Sequence, residues 1–444
     1  MPVKSEFVPV LLGNDINSYS MARAFHEEYK IKSIIIGKLR SGPNNHSKIS
    51  NFIVVKNLET NDIFLKTVRN IALENKENNL KNNTDKKLLL IACGDSYVSL
   101  IIKNKSELKR DFIIPYIDEA LMNDLINKEK FYQICQKHGI DYPKTFIYRK
   151  NSNKNTDGKE SVAKTSENPL QNYDLGFDFP VILKPSNGIE YWEYPFEGQD
   201  KVFKLKDKKE LEQTINKIYD SGYSDSLIIQ DFIPGDDSFM RVLTCYSDKN
   251  GKVRLMSLGH VILEEHTPHG LGNHAAIIND YNEPLMNKIK TFLEQIHFVG
   301  FSNFDIKYDM RDNKYKVFEI NLRQGRSNFY VTGVLREYNL AKYVVEDYIQ
   351  SRESSTAQSS ISSSSFSETA VNIVKEKKLW LVIPQSIALK YTVSKELKNE
   401  IKSLIKQRRV INPLFYKGDY NIKRLLYLVK SHLSHFAKYK KYYR

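Results

Sequence analysis

Between Gly300 and Asn328 the chain reads GFSNFDIKYDMRDNKYKVFEINLRQGRSN, and three of its side chains, Asp305, Glu319 and Asn321, carry oxygen donors at suggestive spacing. Residues 303–308 and 315–320 are strand-like runs flanking the polar stretch 309–314, the pattern of a β-hairpin. Glu319 and Asn321 are two apart, so both point to one face, and Asp305 stands opposite the end where Glu319 sits. Two carboxylates and an amide oxygen would converge there. That set suits Mg²⁺, a hard cation that keeps some waters and is completed by nucleotide phosphates. Arg323 and Arg326 follow at once and can hold an oxyanion or phosphate. A charged surface hairpin is the plainer reading of an isolated E-x-N, and only the rest of the chain separates the two.

Lys184 ends an apolar run at 179–183 and opens K-P-S-N-G, a cation at a strand end beside a small, flexible loop containing Gly188. Loop amides and lysine together can hold phosphates. Lys128 opens a helical stretch further upstream. Each is a weak signal alone, because a strand ending in Lys-Pro is most often only a strand ending. Residues 228–237, IIQDFIPGDD, pass from an apolar strand into an extended segment whose backbone can pair with an adenine edge. Phe232 and Ile233 can pack on the ring, and Asp236 or Asp237 can take ribose hydroxyls. A turn at Pro234-Gly235 closing a hairpin accounts for the same residues.

These groups need elements to position them. Apolar runs at 7–12, 32–36, 52–55, 87–92 and 112–114 alternate with helical patterns at 18–29 and 63–74. Such alternation argues for an open parallel sheet, in which ligands lie beyond the carboxyl ends of strands. Asp15 and Asp95 sit at two such ends, each just before a helix, and capping that helix or touching substrate explains an Asp there equally well. Gly13 lacks the further glycines of G-x-G-x-x-G, so no nicotinamide or flavin is expected. Helical patterns are expected over 118–138, 207–219, 284–295 and 329–348, and strands over 201–205, 227–230, 240–246 and 253–262. His260, His266, His269 and His274 have no Cys or carboxylate partner at fixed spacing, so 264–273 reads as a mobile substrate-covering loop rather than a zinc site.

The net charge of +14 is unevenly placed: 371–444 holds 18 Lys and Arg against 4 Asp and Glu, so the rest of the chain is neutral. Within that tail, 378–384 is strand-like, 394–407 helical, and 420–438 an amphipathic basic helix. A solvated basic face is one reading of that helix, and weak contact with an anionic membrane surface is the other. No nucleic-acid reading motif is present. No apolar run reaches 18 residues, and the first residues lack a signal peptide's pattern. Cys93, Cys135 and Cys245 are scattered and odd in number, as reduced, buried cysteines of a cytoplasmic protein would be. Residues 151–172 read as a polar mobile loop and 351–369 as a Ser-rich linker.

The order of these features resembles the ATP-grasp superfamily: a lysine at a helix start, a lysine at a strand end, a hinge strand, then D…E-x-N-x-R, all after a βαβ-type domain. The resemblance implies an N-terminal Rossmann-like, pre-ATP-grasp domain at 1–117 (α/β) and a two-lobed α+β ATP-grasp domain at 118–350 that clamps ATP. After the linker, a small basic C-terminal subdomain occupies 370–444. By position, Lys128 and Lys184 look like the phosphate-binding lysines, with Gly188 in the loop. Gln230, Asp231, Phe232 and Ile233 look like the adenine hinge and Asp237 like the ribose acid. Asp305, Glu319 and Asn321 look like the Mg²⁺ ligands, and Arg323 like the arginine that steadies an acyl phosphate. The first metal position is Asp where many members have Glu, and the loop is poor in glycine. Stretches such as FVPVLLGNDINSYSMARAFHEEY, NKEKFYQICQKHGIDYPKT and VFEINLRQGRSNFY are similar, within that superfamily, to the D-aspartate ligase family of Gram-positive cell-wall synthesis. This implies ATP-driven joining of D-aspartate to the lysine amine of a UDP-N-acetylmuramoyl pentapeptide precursor. Arg241, Arg323 and Arg326 become candidates for the carboxylates of aspartate, with a strand salt bridge as the alternative for Arg241.

Overall fold

The computed structural model describes residues 6–39, 42–150, 174–268, 270–350 and 370–443. The expected loop at 151–172, the linker at 351–369 and His269 lie outside the described residues. By contact density the chain divides into two compact units. The first comprises Met1–Met122, Asp236–Ile306 and Ile320–Arg444; the second comprises Asn123–Gly235 and Lys307–Glu319.

The first unit opens with a parallel sheet. Strands β1 (Phe7–Leu12), β2 (Ser33–Gly37), β3 (Ser50–Val54), β4 (Lys87–Ala92) and β5 (Phe112–Ile113) lie in the order β3-β2-β1-β4-β5, every pair parallel. β1 and β4 are buried at nearly every residue, as apolar runs covered on both faces must be. The strand order reverses between β1 and β4, which is where such sheets open a ligand crevice. The two chain exits meet there. A Cβ on Gly13, which holds φ +149°, would stand 2.9 Å from Cys93 Cβ, so only glycine fits.

The second unit is built on β6 (Thr145–Tyr148), β7 (Val181–Pro185), β8 (Phe203–Leu205) and β9 (Leu227–Asp231), an antiparallel sheet in the order β6-β9-β7-β8. Leu211, Ile215 and Ile218 of the helix Lys208–Asp220 bury with Val181, Leu183 and Ile229 to form its own core. The single helix expected over 118–138 is two, Glu119–Ile126 and Lys128–Lys137. Asn127 parts them, because its side chain accepts from Lys130 N at 3.0 Å and caps the second helix. The flexible loop expected after Lys184 is also corrected. Only Ser186 and Asn187 separate β7 from a helix, Gly188–Glu193, and Asn187 Oδ1 accepts from Glu190 N at 3.3 Å.

Strands β10 (Met240–Ser247), β11 (Val253–Glu264), β12 (His274–Asp280), β13 (Gly300–Asp309), β14 (Lys314–Asn321), β15 (Asn372–Ile373), β16 (Leu379–Leu381) and β17 (Val410–Ile411) form the third sheet. Its order is β14-β13-β10-β11-β12-β16-β17, with β15 beside β11. The expected hairpin is present as β13 and β14, joined by a short turn in which Asp309 accepts from Arg311 N at 3.0 Å. β12 has no counterpart in the sequence reading. The helix expected over 329–348 is broken into Phe329–Thr332, a 3₁₀ turn Arg336–Tyr338, and Leu340–Tyr348, whose N-cap Asn339 accepts from Ala341 N. The C-terminal strands extend this same sheet: the fully buried Trp380 pairs with Ile277. Cys93, Cys135 and Cys245 are buried free thiols. Among the described residues no helix is long and apolar enough to cross a membrane.

Candidate active site

In the second unit Lys184 meets Tyr132, a residue on the helix that Lys128 opens. Lys128 is the first residue of the helix Lys128–Lys137, and Tyr132 follows one turn later on the same face. Tyr132 OH donates to Phe318 O at 2.9 Å and receives Lys184 Nζ at 3.1 Å, fixing the end of β7 against β14. Lys128 Nζ stands 4.0 Å from Glu319 Oε2. Burial, reinforced by the neighbouring Lys128 charge, pushes Lys184 down to about 7, against the pull of Glu319. Two cations close enough for one to disfavour the charge of the other invite a polyanion. Sequence reasoning missed Tyr132, although its i+4 spacing from Lys128 was a usable signal.

The residues expected at an adenine hinge lie at the end of β9. Gln230 is buried, pairs in the ladder with Thr145 and Ile182, and donates from Nε2 to Thr145 Oγ1 at 2.8 Å. Asp231 is gripped by both Nη atoms of Arg311, at 3.0 and 2.6 Å. The ladder ends there, and Phe232 and Ile233 continue beyond it. Ile233 is buried, while Lys204 Nζ sits 3.8 Å above the Phe232 ring. Gly188 has open space where a Cβ would project.

In the first unit Asn321 Nδ2 donates to Asp305 Oδ2 at 3.2 Å and to Asn303 O at 3.3 Å. A planar amide anchored by its nitrogen turns its oxygen the other way, which makes Oδ1 of Asn321 a ready donor. Within this unit Asp305 and that oxygen are hard ligands of the kind Mg²⁺ takes, so their chemistry fits the ion. Among the described residues no three His, Cys, Asp or Glu side chains are grouped as metal ligands; the set depends on the amide and on oxygens brought by a nucleotide.

Just past β14, the segment 322–328 docks on the crevice of the first sheet. Gln324 Nε2 donates to Ala92 O at 3.0 Å and to Asn17 Oδ1 at 3.2 Å. Asn17 Nδ2 returns to Gln324 O at 3.1 Å, and Asn328 Nδ2 donates to Asn17 Oδ1 at 2.8 Å. This buried amide cluster was not foreseen. It brings Arg323 and Arg326 to Asp15 and Asp95. Arg323 Nη2 donates to Asp95 Oδ2 at 2.7 Å, and its buried Nε has no protein partner. Arg326 Nη2 lies 3.6 Å from Glu265 Oε1, and its Nη1 is likewise buried and unpartnered. Two buried, unpartnered guanidinium N–H groups three residues apart in one segment are what an anion site leaves behind. Burial opposes the charge of Arg323, yet Asp95, Asp15 and Asp305 outweigh it and raise its value. Burial raises the Asp15 carboxyl, opposed chiefly by Arg326.

The alternatives for Asp15 and Asp95 separate. Asp15 caps its helix, accepting from Asn17 N at 3.0 Å. Asp95 makes no such cap and pairs with Arg323 instead. Arg241 takes the salt-bridge alternative, with Nε 3.1 Å from Asp280 Oδ2 and Nη1 on the carbonyls of Ser238 and Met240. Asp237 accepts from Glu264 N at 2.9 Å and pairs with His266 at 3.0 Å; that hydrogen bond raises the histidine's value. His274 lies 3.3 Å from Ser327 Oγ, and burial, then Arg326, pushes it down to about 4.

No family model matches the chain. Over 440 residues, 99% of this chain and 97% of its relative, it is 41% identical to the D-aspartate ligase of Enterococcus faecium (strain Aus0004). The chain belongs to the D-aspartate ligase family. The solved L-amino acid ligase from Bacillus licheniformis aligns with a TM-score of 0.51 at 16% identity, covering 78% of this chain and 75% of that one. The N5-carboxyaminoimidazole synthetase from Staphylococcus aureus, complexed with ADP, aligns with a TM-score of 0.53 at 13% identity, covering 90% and 87%. These likenesses show the ATP-grasp fold behind a Rossmann-like sheet, as the motif order implied. Membership of this family makes the protein an ATP-dependent carboxylate–amine ligase.

Proposed function

We propose that this ligase phosphorylates the β-carboxylate of D-aspartate and couples the acyl phosphate to the ε-amine of lysine in a UDP-N-acetylmuramoyl pentapeptide, for the interpeptide bridge of peptidoglycan. The observation that carries this reading is the 41% identity to a D-aspartate ligase along essentially the whole chain. A carboxylate oxygen attacks the γ-phosphorus and ADP leaves. The amine then attacks the acyl carbon, a tetrahedral intermediate forms, and phosphate departs as the amine loses a proton. Such chemistry is done by positioning and charge rather than by a protein nucleophile.

In this reading Lys128 and Lys184 grip the ATP phosphates beside Gly188, and Gln230, Asp231, Phe232 and Ile233 hold the adenine with Asp237 toward the ribose. Asp305, Glu319 and Asn321 would hold Mg²⁺, which when bound supplies charge neutralisation at the transferring phosphoryl group. Arg323 and Arg326 receive the acyl phosphate and aspartate carboxylates. Asp15 and Asp95 stand beside them with the sign needed for the amino acid's ammonium. Arg241 acts on the strand framework. ATP and a UDP-linked acceptor put the reaction in the cytoplasm.

The test is phosphate release from ATP across a panel of D- and L-amino acids, with a lysine-containing muramoyl peptide as acceptor. D-aspartate is expected to give release and a new amide. Release with other amino acids and none with any D-amino acid would overturn the substrate assignment while leaving the ligase class intact.

A further inference from the structure

The C-terminal helix Ile422–Tyr442 has one buried face and, beside it, an exposed apolar one. Arg424, Leu428, His435 and Tyr439 are buried against the first unit. Around the helix from that face run Ile422, Leu425, Leu426, Val429, Leu433 and Phe436, with exposures from 41% to 78%. Their spacing of three, four and seven places them in one stripe four turns long. Six large apolar side chains in one exposed line exceed the scatter that a solvated surface normally shows.

Charge says what covers the stripe. Lys423, Lys430 and Lys441 fall at spacings of seven and eleven along one edge of it, and no acidic residue lies between Tyr420 and Arg444. A second copy of the chain would bring like charges together along the same line. An anionic surface with an apolar interior matches both features. We propose that this helix docks the ligase on the surface of an anionic phospholipid bilayer, its apolar stripe entering the headgroup boundary and its lysine row facing lipid phosphates. The buried face fixes the helix to the catalytic unit, so docking would hold the enzyme at the membrane without unfolding any part of it. Each lysine near the surface is expected to contribute roughly fivefold to partitioning.

The experiment is flotation of the full-length protein with vesicles of phosphatidylglycerol and phosphatidylcholine, compared with phosphatidylcholine alone. Wild type should float with the anionic vesicles and be weakened by salt. The Leu426→Glu, Leu433→Glu variant should lose at least about tenfold in partitioning while keeping its ligase rate on soluble substrates. A Leu426→Ser, Leu433→Ser variant repeats the test without added repulsion. No flotation of wild type, or flotation unchanged in both variants, overturns the proposal. A dimer in light scattering that both variants dissolve would assign the stripe to a second copy instead, and overturns it too.

Discussion

Lys184 is the group whose state pH should control. Its resting value of about 7 arises from burial and from Lys128 beside it. A bound triphosphate reverses both causes by placing negative charge where water was absent, so the bound value returns toward the ordinary lysine range of about 10.4. In the proposed role of Lys184 the charged form is the one that binds ATP. Binding above the resting value therefore takes up one proton, and ATP affinity is full below it and falls as pH rises through it. From about pH 7 to about pH 9 the charged fraction drops from half to about one hundredth, a loss of roughly fiftyfold, or about 2.3 kcal/mol. A resting value one unit higher would leave roughly tenfold. The assay is ATP dissociation by titration calorimetry across that range, in buffers of differing ionisation heat so that proton uptake is counted directly. Lys184→Arg keeps its charge throughout and should flatten the profile. An equal slope in wild type and variant, with no proton uptake in either, would refute the reasoning.

Arg323→Ala should lower kcat by about 10²- to 10³-fold with little change in the KM for ATP, since in its proposed role the lost charge acts where the acyl phosphate forms; a rise in that KM at unchanged kcat would contradict that role. Asn321→Ala removes an oxygen donor and should raise the Mg²⁺ needed for half-maximal rate by roughly tenfold or more, read by metal titration at saturating ATP. Asp419 is fully buried against Arg424 at 3.1 Å and also accepts from Tyr19 OH at 2.9 Å and Ser47 Oγ at 2.9 Å. Asp419→Ala leaves that arginine uncompensated and should cost about 3–5 kcal/mol in urea unfolding; a loss below about 1 kcal/mol would show the pair to be dispensable.

What the sequence made legible was local. The hairpin could be read because alternating strands around a polar turn carry their own signature, and the parallel sheet because buried strands are continuous apolar runs. Lys128, Lys184, Arg323 and Arg326 were singled out by type and order. What stayed hidden was long-range or decided by single polar residues. Asn127 breaks a pattern that periodicity alone runs through, and Asn187 starts a helix where Lys-Pro-Ser-Asn-Gly suggested a loop. β12 carries AAII beside a Gly- and His-rich stretch, and its place depends on β11 and β16, one of them a hundred residues away. For Arg241 the sequence left carboxylate binding and a strand salt bridge equally open, and Asp280, on a different strand, supplies the salt bridge.

The amide cluster explains why the Rossmann-like sheet belongs to the chemistry rather than merely preceding it. Arg323 and Arg326 lie on a segment with little regular structure, and two long cationic side chains there would ordinarily wander. Gln324, between them in sequence, is wholly buried and tied to Ala92 O and Asn17. Gly325 permits the approach: a Cβ there would stand 2.5 Å from Asn303 Oδ1. Asn303 lies on the same strand as Asp305 and takes Thr244 Oγ1 at 2.9 Å, so one packing contact registers the arginines against the carboxylate strand. The register is therefore set by neutral hydrogen bonds that do not change when charged substrates arrive. Asp95 is the exception, because it holds Arg323 directly and carries charge. In the proposed role of Arg323, an arriving carboxylate or acyl phosphate would exchange with it, so this pair, rather than the amides around it, is where substrate binding would meet resistance and where selectivity for an anionic amino acid could be set.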